Sequence, residues 1–380
     1  MGSPVCFIIN KPSVGGAEIF LLNLGKYMSK EFDCHIIFLF PGGEMLDKFR
    51  ESGCKVHCLN FTWNPLGFLK QFKLLRAKIQ EIKPEVVHTW LYISDLIGGT
   101  AASFEKVSRI FWSIRQSNIS FSQNKLHTFL FIRLCGLLSN HIPHKIISCS
   151  NVAMMNHVNF AFYNKSKIEV IPNGYKTEEL MFSDSARAAL RSELNCASKI
   201  KLVGIIGRYD IQKGFDNFID VSSYINVANE NCLFVFIGSG CDVSNHELVG
   251  QIEAKLSSEK YLLLGQRSDM KNIMCGLDLL LVTSRGEAFP NVLAEAMCYG
   301  LPVVTTNVGE IPIILDGICK IYNPGQNREM ANAAIQILDF TDEEKATFSE
   351  KLRERIHQRY EFEDVMKRFR NTYLLTSNQS

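Results

Sequence analysis

Four side chains in the second half of the chain have the types and spacing to hold a diphosphate and the sugars on either side of it. Arg208 and Lys213 stand five residues apart. A guanidinium grips phosphate oxygens in pairs and an ammonium meets them as a point charge. Glu287 and Glu295 have seven residues between them. Carboxylates repel phosphate but accept hydrogen bonds from hydroxyls. A ligand that uses all four groups is a diphosphate linking two sugars, as in a nucleotide sugar.

The elements around these residues are those such a ligand needs. Leu279 to Val282 is an apolar run that predicts a buried strand, and Ser284 to Phe289 predicts a loop. Pro290 suits the first turn of a helix, which continues through Ala294, Glu295, Ala296 and Met297, ends at Gly300 and is followed by Pro302 and a strand at Val303. The free N–H groups around Ala288, Phe289, Asn291 and Val292 then lie at a helix N-terminus, where the dipole favours an anion. Upstream, Lys201–Ile206 predicts a strand that runs into Gly207-Arg208 and on to Lys213-Gly214. Leu233–Ile237 leads to Gly238-Ser239-Gly240, and Tyr261–Leu264 leads to a loop with Arg267. The competing reading is a set of ordinary strand–helix connections with solvated charges.

The first half repeats the alternation. Strands are predicted at Val5–Ile9, Cys34–Phe40, Lys55–Leu59, Val86–His88, Arg109–Trp112, Ile146–Cys149 and Ile168–Ile171, with helices between them that include 65–82 and 125–138. Gly15-Gly16-Ala17-Glu18 precedes an amphipathic helix bearing Phe20, Leu21, Leu24 and Tyr27, but it is not the G-x-G-x-x-G of a dinucleotide site. His88 and Arg115 end or follow strands, where a packing histidine and a surface arginine are the ordinary readings. Repeated β-then-α units make the chain α/β, with parallel sheet covered on both faces.

The run from Glu287 through F-P-N to E-A-M-C-Y-G-L-P-V-V resembles the signature of family-four retaining glycosyltransferases, and G-R-x-x-x-x-K-G at 207–214 resembles their diphosphate loop. The resemblance covers most of the chain and is densest from Lys201 to Gly309. It implies two Rossmann-like domains facing across a cleft, the GT-B architecture: residues 1–178 joined by a C-terminal helix at 360–380, and residues 179–359. It implies that Glu287 meets donor-sugar hydroxyls and Glu295 the ribose, and that Arg208 and Lys213 hold the diphosphate. Gly15, Gly16, Gly207, Gly238, Ala288, Phe289, Pro290, Asn291 and Val292 line the donor, with Arg267 in the loop against the base. The passages at His88–Gly99 and Ser113–Asn118 resemble bacterial O-antigen and capsule enzymes. Many relatives carry a histidine where this chain has Arg115-Gln116. The expected catalytic set is Glu287, Arg208, Lys213, Arg115 and His88. The implied reaction moves a hexose or N-acetylhexosamine from a UDP-sugar, or a GDP-sugar, to a lipid-diphosphate-linked saccharide. No D-x-D occurs in the sequence, so neither a metal nor another cofactor is expected. A sugar-nucleotide epimerase of the same architecture and a non-catalytic nucleotide-sugar sensor are the alternatives.

Composition fits this reading. The 380 residues are 46% hydrophobic and 21% charged, enough for two domains with separate cores. Net charge is +2, but residues 1–180 hold 20 Lys+Arg against 13 Asp+Glu, hence +7, and the rest 21 against 26, hence −5. Aromatic and basic residues mix at Phe61–Lys83 and Phe121–Lys145. A basic first half with such helices is expected to meet an anionic membrane surface rather than nucleic acid. The 12 cysteines include no C-x-x-C pair, no run of 18 apolar residues occurs, and the N-terminus enters a strand at once. The expectation is a cytoplasmic protein at the inner face of the cytoplasmic membrane, without a signal peptide and of open oligomeric state.

Overall fold

A computed structural model describes residues 3–62, 67–117, 119 and 126–375. Expectations for Trp63, Pro65, Asn118, Phe121 and Lys125 lie outside the described residues. The chain divides into two compact units, Met1–Asn173 with Glu363–Ser380, and Gly174–Phe362. The first boundary falls between Asn173 and Gly174.

The first unit alternates strands and helices: β1 (Pro4–Ile9), α1 (Gly16–Met28), β2 (Asp33–Phe38), α2 (Leu46–Arg50), β3 (Lys55–Cys58), α3 (Phe68–Ile82), β4 (Val86–Trp90), α4 (Tyr92–Phe104), β5 (Arg109–Ile114), α5 (Leu126–Leu138), β6 (Lys145–Ser148), α6 (Asn151–Ala161) and β7 (Ile168–Val170). All strand pairs are parallel, in the order β3-β2-β1-β4-β5-β6-β7. The central strands are buried on both faces, which is why they read as unbroken apolar runs rather than alternating ones.

The second unit follows the same plan: α7 (Asp184–Glu193), β8 (Lys201–Ile206), α8 (Phe215–Ala228), β9 (Cys232–Ile237), α9 (His246–Glu253), β10 (Tyr261–Gly265), α10 (Met270–Gly276), β11 (Leu279–Val282), α11 (Asn291–Tyr299), β12 (Val303–Thr306), α12 (Ile311–Leu315), β13 (Ile321–Tyr322), α13 (Asn327–Leu338) and α14 (Asp342–Tyr360). Its parallel sheet runs β10-β9-β8-β11-β12-β13. Phe218 and Phe236 pack edge to face at 4.9 Å in its core. In each sheet the strand order reverses once, between β1 and β4 and between β8 and β11. Open α/β sheets hold ligands outside the carboxyl ends of the strands at that reversal.

Helix α15 (Phe362–Leu375) completes the first unit. Phe369 and Tyr373 are fully buried. Phe369 meets Phe20 at 5.5 Å and Tyr373 meets Phe111 at 5.1 Å between ring centroids. Among the described residues no helix is long and apolar enough to cross a membrane.

Candidate functional site

The reversal between β8 and β11 brings together the loops that the sequence singled out. The loop after β8 turns through a short 3-10 segment, Ile211–Lys213, capped by Asp210 accepting from the Gln212 N–H at 2.9 Å. Gly214 follows at φ +66°, and a Cβ there would lie 2.1 Å from the Thr283 carbonyl oxygen. Only glycine fits so close to the neighbouring strand end. The loop after β11 is stitched to this one. The Arg285 N–H donates to the Gln212 carbonyl at 2.7 Å, and the Thr283 hydroxyl to that of Gly214 at 2.9 Å. Arg285 also pairs with Asp216.

That stitching aims two predicted residues at each other. Lys213 Nζ donates to Glu287 Oε1 at 2.7 Å, and Ser284 Oγ donates to the same oxygen at 2.7 Å. The Glu287 side chain is 9% exposed. Gly309, at φ +57°, passes so close that a Cβ would sit 2.2 Å from the Glu287 carbonyl oxygen. The sequence pattern assigns no role to Ser284 or Gly309; the signal for Ser284 is a hydroxyl three residues before an acid in the same loop. Arg208 behaves differently. Its side chain is 76% exposed and, among the described residues, reaches only Asp210, at 3.5 Å. The two cations therefore lie on one loop without sharing a partner.

Beside them α11 begins. Pro290 is its cap rather than its first turn; the Pro290 carbonyl accepts from Leu293 and Ala294 at 3.1 and 3.2 Å. Phe289 is buried between Tyr175, at 6.3 Å, and Tyr360, at 5.6 Å, and the Tyr175 hydroxyl donates to Asn291 Oδ1 at 2.7 Å. Ala288 and Val292 flank them, partly exposed. One turn in, Glu295 is half-buried, and burial pushes its carboxyl up to about 7. No described residue makes a hydrogen bond or ion pair to that carboxylate.

The glycines after the other strands hold the floor. A Cβ on Gly238, at φ +138°, would lie 2.0 Å from the Gly207 carbonyl oxygen, so the loops after β8 and β9 touch through bare backbone. Arg267 does not join Arg208 and Lys213. It is clamped by Glu193 at 2.6 and 2.9 Å and by Asp269 at 2.8 Å, and those two carboxylates hold its guanidinium protonated. Its side chain is held by protein groups, which fixes the loop that is expected to lie against the base.

In the first unit, Gly15 caps α1 in extended conformation and Gly16 opens the helix. The Glu18 carboxylate folds back over Gly15, 2.5 Å from where a Cβ would stand. His88 is a correction. It is fully buried, with Nδ1 bonded to the Tyr373 hydroxyl at 2.5 Å and Nε2 to Ser113 Oγ at 2.7 Å, and burial holds its protonated form far below the ordinary range. With both nitrogens engaged in the core it is a packing residue, not a base. Arg115 is a partly exposed residue packed on aromatic rings rather than a surface arginine. Its guanidinium lies 4.3 Å from the Trp90 ring and 4.6 Å from Phe20, and Nη1 donates to Asn173 Oδ1 at 3.1 Å. Burial lowers its pKa to about 10. No group of three or more His, Cys, Asp or Glu side chains that could hold a metal occurs among the described residues.

Comparison with known proteins assigns both units. Residues 14–179 match the family described as Glycosyltransferase Family 4, and residues 200–339 match Glycosyl transferases group 1. The chain carries two glycosyltransferase domains. The group 1 match holds the Lys213–Glu287 site, and the family 4 match holds β2 to β7 of the seven-stranded sheet. Over 97% of the chain and 82% of the relative, it is 26% identical to a phosphatidylinositol N-acetylglucosaminyltransferase GPI3 subunit of Saccharomyces cerevisiae. Over 74% of the chain and 73% of the relative, it is 24% identical to an Escherichia coli UDP-Gal:alpha-D-GlcNAc-diphosphoundecaprenol alpha-1,3-galactosyltransferase. The crystal structure of Anabaena Alr3699/HepE in complex with UDP-glucose matches with a TM-score of 0.85 at 21% identity, over 99% of this chain and all of that one. The two glycosyltransferase domains thus have the Rossmann-like folds of the GT-B class.

Proposed function

We propose that the protein is a retaining glycosyltransferase that moves a hexose or N-acetylhexosamine from a UDP-sugar to a lipid-borne acceptor at a membrane surface. The observation that carries the reading is the meeting of Lys213 and Glu287 at the strand reversal of the group 1 domain, 2.7 Å apart, with Arg208 exposed on the same loop. A cation beside a carboxylate is what a ligand with phosphate next to sugar hydroxyls requires. In this reading Arg208 and Lys213 take the diphosphate, Glu287 the donor sugar and Glu295 the ribose. The acceptor hydroxyl attacks the anomeric carbon on the face the diphosphate leaves. The bond from that carbon to the diphosphate oxygen breaks, and the hydroxyl proton passes to the departing phosphate. Fixed positive groups stabilise the charge that develops on the leaving group. Anabaena Alr3699/HepE, solved with UDP-glucose, supports UDP as the nucleotide.

The acceptor class rests on two relatives of different kingdoms whose names place the accepting group on a lipid, phosphatidylinositol in one and GlcNAc-diphosphoundecaprenol in the other. Purified protein should therefore be offered UDP-sugars with each lipid, with EDTA present and absent. Transfer to one lipid with the anomeric configuration kept, and undiminished by EDTA, is the expected result. Conversion of the UDP-sugar with no acceptor points to the epimerase. Donor binding without any turnover points to the sensor.

A further inference from the structure

A cavity of about 330 Å³ lies in the second unit, at the edge of the sheet opposite the Lys213–Glu287 site. Leu277 and Pro302 in its wall precede β11 and β12, whereas Ser284 follows β11. The four residues of β11 put about 13 Å of strand between the two edges. Its volume is at the small end for a ligand pocket, equal to about ten waters.

The helix that walls it, α14, turns polar side chains to this space, of which Ser349 already donates to the Gly300 carbonyl at 2.6 Å. Asp342, Lys345, Ala346, Ser349 and Arg353 of α14 all face the cavity. They recur at the spacing that normally forms the apolar stripe of a helix. Further along, the same helix does bury Leu352, Ile356 and Tyr360. The opposite walls are apolar: Met274, Leu277, Leu301 and the Tyr299 ring, with Phe182 exposed at the rim.

Positive charge exceeds negative around this space. Arg187 is satisfied by Asp278 at 2.6 Å and by the carbonyls of Cys275, Gly276 and Leu277. Asp278 also takes Arg191 at 3.2 Å and lies 3.9 Å from Lys345, so one carboxylate faces three cations. Burial pushes the Lys345 ammonium down; Asp278 opposes this and Arg187 adds to it. Arg353 has no hydrogen bond or ion pair to any described residue. Asp342, in the first turn of α14, bars a second anionic arm from that side.

We propose that this cavity binds a small organic anion, a compact apolar body bearing a single phosphate or carboxylate that Lys345 and Arg353 receive. The site is independent of the donor site and of the transfer reaction. The test is calorimetric titration of phenyl phosphate, with benzoate in parallel, into the full chain carrying Arg208→Ala and Lys213→Ala, which removes the phosphate-binding cations of the other edge. One of the two probes should bind at least about tenfold more tightly than inorganic phosphate and than phenol, because each of those supplies half of the interaction. Lys345→Gln with Arg353→Gln should reduce that affinity by at least about tenfold. Ala346→Phe, at the exposed mouth, should abolish it while leaving the circular dichroism spectrum intact. Absence of heat with both probes up to about 10 mM, or affinity that survives Ala346→Phe, overturns the proposal. If the double glutamine variant fails to fold, Ala346→Phe alone decides.

Discussion

A diphosphate entering the β8–β11 reversal must draw Lys213 away from Glu287 or share it, whereas Arg208 is free of strong partners and meets the ligand directly. Charge-assisted hydrogen bonds are worth roughly 1.5–3 kcal/mol each. Arg208→Ala and Lys213→Ala should each weaken UDP binding by at least about tenfold in calorimetry, and unchanged affinity in both would remove them from the site. Glu295 makes a second prediction. Its folded pKa, about 7, lies above the ordinary 4.5. The folded state therefore prefers the protonated acid, and stability falls as pH rises between those values. A shift of that size is worth roughly 3 kcal/mol, less what solvent screens at a half-buried group. Glu295→Gln should raise the melting temperature at pH 8, leave it nearly unchanged at pH 4.5, and weaken UDP binding. A variant that melts lower at pH 8 than the parent would mean that the carboxylate is stabilised by groups other than ligand.

At the scale of elements, α5 exposes Leu130, Leu134 and Leu137, one apolar stripe turned to solvent, and its neighbour α6 exposes Met155 and Phe160. Lys70 and Lys73 are exposed on α3, which packs on α4 as α5 does, so the first unit offers both apolar and basic surface to an interface. Association with anionic liposomes should be reversible and lost at high salt, since each basic residue adds about 1 kcal/mol within a Debye length. Leu134→Glu with Leu137→Glu should abolish flotation at low salt while leaving UDP affinity unchanged; equal flotation of parent and variant would discard this face. The strands and the loops after β8 and β11 were legible in the sequence because buried parallel strands are unbroken apolar runs and their ligand loops hold Gly, Pro and charge. Helix α7 was not. Its Asp-Ser-Ala-Arg stretch reads as a polar linker, and only Ser183 accepting from the Ala186 N–H, with Ala186 and Leu190 buried, makes it a helix. His88 misled for a related reason. A strand-end histidine looks alike whether solvent or Tyr373 meets it, and Tyr373 lies 285 residues away. Arg267 was drawn into a clamp by Glu193, a contact over 74 residues that local pattern does not reveal.

Across the molecule, the two units should answer acid differently. His35, His57, His88, His144 and His157 all belong to the first unit, and burial lowers each, His157 to about 4. A histidine whose folded pKa is depressed gives its full stability above the ordinary 6.5 and loses it as pH falls below that value. Asp95 and Glu18, which burial raises, oppose the trend but are two against five. In the second unit Glu295 works the other way over the same range. All three tryptophans, Trp63, Trp90 and Trp112, are in the first unit, so intrinsic fluorescence reports it alone. Its melting temperature should fall between pH 7.5 and 5.5. A tryptophan transition that holds or rises over that interval would refute the lowered pKa values of these histidines.

The place of α15 has a consequence for synthesis on the ribosome. The first unit ends its strands by residue 170, but Phe369 and Tyr373, which fill its core, are made last. At 5–20 residues per second the nascent chain waits roughly 10–40 s for them, with the ring faces of Phe20 and Phe111 and the His88 ring uncovered. The second unit is contiguous and completes itself in that interval. The expected order of completion is thus the reverse of the order of translation: the unit begun first is finished second.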